Sequence, residues 1–301
     1  MRRRVLALTI AATVLAASGS PAGAGVLSVT SVADSGSGSL RDALSKARPG
    51  DRIVLALPET ALGRGELTGR GEGGKKIALA APLPPIAAAT VLELRATAPD
   101  VTISGGTLVL APNGGLTFEI APGRTATLDL PITGAEGDRG LGVVGGGAMI
   151  LAQACDYRGG TAVTDATLKV DAAGAVPPNG RLTLMNGRFE LGPRDATLGA
   201  LAGDGGTILL GARVLTVNQG AGSEFQGTIE GTGRFVKAGA GRLRLTSGIG
   251  WTGGTEVTGG VLELAGSGAA VQVRGPITLK GGMLITSGVR LGSDSGPAPT
   301  R

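Results

Sequence analysis

The chain has 301 residues, with 56 glycines, four phenylalanines, one tyrosine, one tryptophan and no histidine. A compact core would draw on aromatic side chains, which bury the most area per residue, and the glycines follow no three-residue period, so neither a conventional globule nor collagen fits. The formal charge of +5 falls to about +2 once the three arginines at Arg2–Arg4 are set aside, which gives no basic run for nucleic acid.

Those arginines open a basic n-region, Val5 to Ala17 is a short apolar h-region, and Ala22-Gly23-Ala24 is a small-residue cleavage site. The pattern is that of a secretory signal cut after Ala24. No later apolar run is long enough for a membrane helix. Cys155 stands alone, with no histidine or second cysteine for a metal site. It is read as a small buried hydrophobe, with a reactive thiol or an intermolecular bridge as the alternatives.

In the exported part, Val29–Val32 reads as a short strand and Asp34–Gly38 as a loop. Ser39 then caps a helix over Leu40–Ala47, with Asp42 at the third position and Leu40, Ala43, Leu44 and Ala47 on one face. Pro49-Gly50-Asp51 ends it, and Arg52–Leu57 follows as a strand. Between Leu57 and Pro99 the pattern weakens, with a Gly- and charge-rich loop at Arg64–Lys76. From Asp100 onward, period-two stubs such as Leu116–Ile120 and Ala126–Leu130 alternate with glycine turns. One phrase, Gly-x-Leu-x-Leu, recurs at Gly106, Gly180, Gly241 and Gly260, and more loosely at Gly206 and Gly282. A recurring turn-plus-strand unit is the mark of a stacked solenoid, because each unit can bury its apolar side only against its neighbours.

A longer repeat overlies the short one. Residues 141–170 align without gaps on 235–264, which sets Tyr157 on Trp251 and Gly159-Gly160-Thr161 on Gly253-Gly254-Thr255. This unit resembles the autotransporter-associated β-strand repeat, with its Gly-x-Leu-x-Leu, aromatic, Thr-Gly-Gly-Thr, Val and second Gly-x-Leu-x-Leu. The later copy matches well, and the earlier one has Arg158 in place of the first Thr. Separately, Thr30–Ala43 with Pro49-Gly50-Asp51 resembles the opening of bacterial β-helix proteins. These resemblances imply an all-β, right-handed parallel β-helix of the pectin-lyase-like kind with a short N-terminal capping helix, and a passenger-type protein. The C-terminal barrel that such proteins use for surface anchoring is not seen in the sequence.

The expected organisation is a signal peptide (1–24), a strand-helix-strand cap (25–57), irregular first rungs and a loop (58–99), β-helix repeats (100–291) and a tail (292–301). The favoured reading is a secreted or cell-surface bacterial protein for adhesion or structure, with periplasmic retention left open. Its expected partner is a host or matrix glycan or protein, not nucleic acid. End-to-end self-association is expected through the last rung near Leu279–Leu291, where no capping helix is visible. The alternative is a polysaccharide-degrading β-helix lyase or glycoside hydrolase. Its candidate residues are Asp138-Arg139 and Asp156-Tyr157-Arg158, with Asp129, Asp165 and Asp171. They cluster at no diagnostic spacing, so no catalytic, metal or cofactor-binding set and no cofactor is assigned. The lack of histidine excludes Ser-His-Asp and Cys-His catalysis. Tyr157 and Trp251 are read as a packing pair in preference to a sugar platform.

Overall fold

The structure, a computed structural model, describes residues 24–58, 74–266 and 271–291. Residues 1–23 of the expected signal peptide (1–24), most of the expected Arg64–Lys76 loop and the expected tail at 292–301 lie outside the described residues. The chain winds into a parallel β-solenoid, the fold expected from the repeats. Each strand pairs with the strand one coil later, as in Gly115↔Gly140, Leu141↔Thr161, Leu182↔Leu201 and Arg242↔Val261. Every ladder between named strands is parallel, and the longest unbroken sheet holds nine strands.

Each coil visits three faces in order. The first face is an eight-stranded sheet running from Val26–Val29 to Ala200–Ala202. A bridge between Gly203 and Phe225 hands it on to a four-stranded sheet ending at Met283–Ser287. The second face is the nine-stranded sheet from Lys75–Ala78 to Ile249–Trp251. The third begins with Leu108–Leu110 and Ile132–Gly134. It continues through single backbone bonds, Asp156 N–H to Ile132 O and Cys155 N–H to Gly174 O, and ends in five strands from Ala196–Leu198 to Ile277–Leu279.

Period-two alternation decides which side chains enter the column between the faces. In Thr167–Val170, Leu168 and Val170 are buried while Thr167 and Lys169 look outward, and Arg242–Leu245 repeats the pattern. All six aromatic residues, Phe118, Tyr157, Phe189, Phe225, Phe235 and Trp251, are buried to 1% exposure or less. The scarcity of aromatics therefore reflects a narrow column, and none is left for the surface.

The helix spans Leu40–Lys46, with Leu40, Ala43 and Leu44 buried. Ser39 Oγ accepts from Asp42 N–H at 3.1 Å, and the Asp42 carboxylate reaches back to Gly38 N–H at 3.3 Å. Arg41 ties the helix to Asp34 at 2.6 Å and to the Ala81 carbonyl at 2.9 Å. The Asp51 carboxylate accepts from Arg48 and Gly25 N–H groups, at 2.8 and 2.7 Å, bonds that hold its pKa below the ordinary value. The fixed residues of the opening motif thus stitch helix to strand. The first strand covers Val26–Val29 in place of the expected Val29–Val32, because Thr30 and Ser31 N–H groups both turn to the Gly38 carbonyl. At the opposite end Leu279 stacks on buried Val257 yet is 54% exposed, with Met283 at 57% and Ile285 at 37%.

The internal duplication does not return to the same face. Gly140–Val144 lies on the first face, and its counterpart Arg234–Ala238 lies on the third. Ala148–Leu151 lies on the second, and Arg242–Leu245 on the first. The coils in this stretch run near 20 residues, so the 94-residue offset amounts to about four and two-thirds turns. Local pattern alone does not say which face a strand occupies, and the three faces accept the same unit.

Candidate functional site

The repeat signature builds a buried clasp twice. In the earlier copy the Tyr157 hydroxyl lies 2.6 Å from Thr161 Oγ1. In the later one the Trp251 indole N–H donates to Thr255 Oγ1 at 2.9 Å. Tyr157 and Trp251 are both wrapped in core, and burial pushes the phenol pKa up. Trp251 also packs on Phe235, with ring centroids 5.0 Å apart. The Gly-Gly between aromatic and threonine is demanded by contact with the neighbouring coils. A Cβ on Gly159 would sit 2.2 Å from the Arg139 carbonyl carbon, and one on Gly253 2.3 Å from the Thr232 carbonyl oxygen. Gly160 and Gly254 follow with φ of +86° and +100°, where side chains are strained. Both bonds close within one turn, and the glycines let that turn lie against the neighbouring coil, in keeping with the packing role expected of the aromatic residues.

The candidate carboxylates are spent in the same way. Asp138 is buried, and its oxygens accept from three backbone amides: Gly140 at 2.8 Å, Gly159 at 2.7 Å and Arg158 at 2.7 Å. A buried carboxylate held by three backbone amides is committed to the fold and is not presented to a substrate. Asp129 accepts from Gln153, Asp171 pairs with Lys169 at 3.1 Å, and Asp165 forms a turn with φ of 50°. Asp156 is exposed and stands apart. The structure does not assemble the alternative's residues into a reacting pair, and no group of three metal-ligand side chains converges among the described residues. Sequence reading missed the wider rule that turn aspartates stitch coils. Asp100 accepts from Thr125 N–H and Asp195 from Val214 N–H, at 2.8 and 2.9 Å.

An open groove of about 270 Å³ lies beside Glu93, Arg95 and Glu119. Arg52 reaches Glu93 at 3.2 Å and also Glu119, and Arg95 holds Glu93 at 2.7 Å. Burial raises the Glu93 pKa, but its bonds to Arg95 and Arg52 win and hold it below the ordinary value. A carboxylate kept ionised in this way cannot serve as the general acid of glycoside hydrolysis.

Two buried polar groups explain themselves. Cys155 Sγ accepts weakly from Ile132 N–H at 3.5 Å, and burial raises the thiol to about 11. The thiol is therefore protonated at neutral pH, and the buried-hydrophobe expectation describes its surroundings. Native protein at pH 8 should leave a thiol reagent unreacted, with one equivalent titrating only in denaturant; fast native labelling would contradict this.

Lys237, fully buried, donates to the carbonyls of Ala238, Gly239 and Gly259 at 2.6, 2.9 and 3.2 Å. Burial lowers its pKa. The unfolded chain then holds this proton more tightly than the folded one. Stability should therefore rise as pH climbs from the lowered value toward the ordinary lysine pKa of about 10.4. Lys237→Met should cost about 1–3 kcal/mol at pH 7 by stranding three carbonyls, and should abolish the alkaline rise. Urea midpoints across pH for the two proteins check both parts.

Coils stacked in parallel register, with the same buried clasp built twice, define a repeat-built parallel β-solenoid. Passenger-associated-transport-repeat is the family that matches, at residues 144–170 and 235–264, the two stretches that carry the clasps. The adhesin BmaC autotransporter of Brucella suis biovar 1 (strain 1330) is 32% identical over 212 residues, 66% of this chain. The chain spans only 6% of that relative's length. No solved structure matches. The chain thus carries two stretches that match the passenger-associated transport repeat, in agreement with the resemblance of its repeat unit to passenger proteins. No helix among the described residues is long and apolar enough to cross a membrane.

Proposed function

We propose that the rod is an exported adhesive surface module, carried out of the cytoplasm by residues 1–24 and displayed or released to bind a host or matrix glycan or protein. The observation that carries this reading is the 32% identity over 212 residues to a protein named as an autotransporter adhesin. The site geometry favours it over the polysaccharide-degrading alternative, since Asp138 holds backbone amides, Asp129 and Asp171 bond Gln153 and Lys169, and Asp156 stands alone.

Beads coated with residues 25–301 should adhere saturably to cells or extracellular matrix, and soluble rod should compete. Absence of adhesion would overturn the reading. So would release of unsaturated products or reducing ends from an acidic polysaccharide, if Asp156→Ala abolished it. Asp156 is the informative choice, because Asp138→Ala also removes a structural clasp.

Self-association belongs to the same proposal. The helix covers one end of the column, while Leu279, Met283 and Ile285 are exposed at the other. Two copies would therefore meet last rung to last rung. Sedimentation equilibrium should show a dimer that Leu279→Lys with Ile285→Lys converts to monomer; a wild-type monomer at high concentration would refute the pairing.

A further inference from the structure

Charge on this rod is mostly cancelled between coils. Arg52 sits between Glu93 and Glu119, Arg244 between Glu224 and Glu263, and Glu256 between Arg234 and Lys280. Each set joins successive coils along the stack.

The third face departs from this rule over its middle coils. Arg139 and Arg158 occupy the corner that leads from the third face to the first in two successive coils, and Arg181 opens the first-face strand of the coil after, one residue before Leu182 in the register Leu141↔Thr161↔Leu182. The corner backbones touch. A Cβ on Gly159 would lie 2.2 Å from the Arg139 carbonyl carbon, and one on Gly160 lies 3.6 Å from Arg181 Cβ. Arg194 and Arg213 occupy the opposite corner of the same face, two residues before Ala196 and Leu215, which pair. All five are exposed, and none of their guanidinium groups makes an ion pair or hydrogen bond within the described chain. The acids nearby offer little compensation. Asp138 is consumed by amides, Asp195 holds Val214 N–H, and Glu136 and Asp156 remain.

Like charges repeated at the coil spacing of about 4.8 Å repel in the isolated rod, and a chain of anions laid along them would relieve that repulsion. Arginine suits such a ligand, because its planar fork pairs with two oxygens of a carboxylate or sulfate. The burial of every aromatic residue narrows the class further. Neither sugar rings nor nucleobases find an exposed aromatic on which to stack, so recognition must run through charge and hydrogen bonds.

We propose that the third face between these two arginine corners binds an acidic polysaccharide, with arginines of successive coils pairing to its anionic groups. The inference deepens the adhesin reading by naming a ligand class, and rests on that reading for its biological setting.

The test measures binding of the rod to heparin as a sulfated probe, polygalacturonate as a carboxylated one, neutral dextran and a DNA duplex. Heparin or polygalacturonate should bind and dextran should not, with affinity falling about tenfold or more between about 50 and 200 mM salt. The triple variant Arg139→Ser/Arg158→Ser/Arg181→Ser should lose about tenfold or more, from three pairs at roughly 0.5 kcal/mol each. A control of equal net charge, Arg48→Ser/Lys76→Ser/Arg188→Ser, should lose less than about threefold. Circular dichroism confirms that both variants remain folded.

Absence of polysaccharide binding, equal losses in the two triples, or tighter binding to DNA than to either polysaccharide would overturn the proposal. If beads still adhere to cells while polysaccharide binding is absent, this inference alone fails. If adhesion is absent as well, the adhesin reading fails with it.

Discussion

Asp138→Ala should lower the stability of the middle coils by about 3–5 kcal/mol, among the largest effects of any single polar change in this chain. The carboxylate holds three backbone N–H groups, those of Gly140, Arg158 and Gly159, and it is 7% exposed. Each buried donor left without an acceptor costs about 1–3 kcal/mol, and partial entry of water keeps the total below the simple sum. The coil cannot shift to compensate, because Gly159 already lies against the backbone of Arg139 and Gly140. Asp138→Asn should cost less, about 1–3 kcal/mol, since one oxygen survives while the new amide group faces a donor. Coils of a solenoid communicate mainly with their neighbours. Hydrogen exchange should therefore quicken first at Arg158 and Gly159, alongside a lower urea midpoint. A loss under about 1 kcal/mol for the alanine variant would show that this stitch is dispensable.

Trp251→Ala should cost about 3–5 kcal/mol, the usual range for deleting a large buried aromatic. The indole is fully buried, packs on Phe235 and bonds to Thr255 Oγ1. Its position gives the loss a direction. Residues 249–291 form the end opposite the helix, so the last described coils should lose hydrogen-exchange protection while strands up to Arg181–Met185 keep theirs. Trp251→Phe preserves most of the packing and removes the indole donor, and should cost about 1–2 kcal/mol. Uniform loss of protection along the whole chain would contradict the coil-by-coil picture.

The strand stubs were legible because their signal is local. Period-two alternation after a glycine turn marked Arg181–Met185, Arg242–Leu245 and Val261–Ala265 to within a residue. The cap was legible for the same reason, as Ser39, Asp42 and the apolar face of Leu40–Lys46 lie within one short segment. Contacts spanning a whole coil were not. Asp138 meets Arg158 twenty residues on, and Asp100 meets Thr125 twenty-five residues on, distances at which a single sequence gives no pairing signal. Turn aspartates therefore read as surface charge, or as candidates for chemistry, when they are acceptors for the next coil. The one-face rotation between the two repeat copies was hidden too, because the unit has the same pattern on any face. The arginine corners became visible only once the register placed residues 139, 158 and 181 on successive coils.

The central claim is that successive coils stack in parallel register, with the two repeat copies one face apart. Cysteine pairs in a Cys155→Ser background test it most directly. Lys169 and Glu190 are outward neighbours on adjacent coils of the second face, whereas Glu263, the repeat counterpart of Lys169, lies on the first. Under mild oxidation Lys169→Cys/Glu190→Cys should form an intramolecular disulfide, because paired strands bring Cα atoms within the range of about 4.4–6.8 Å that a disulfide spans. Lys169→Cys/Glu263→Cys should remain two free thiols. Cross-linking of the second pair with none in the first would contradict both the register and the rotation.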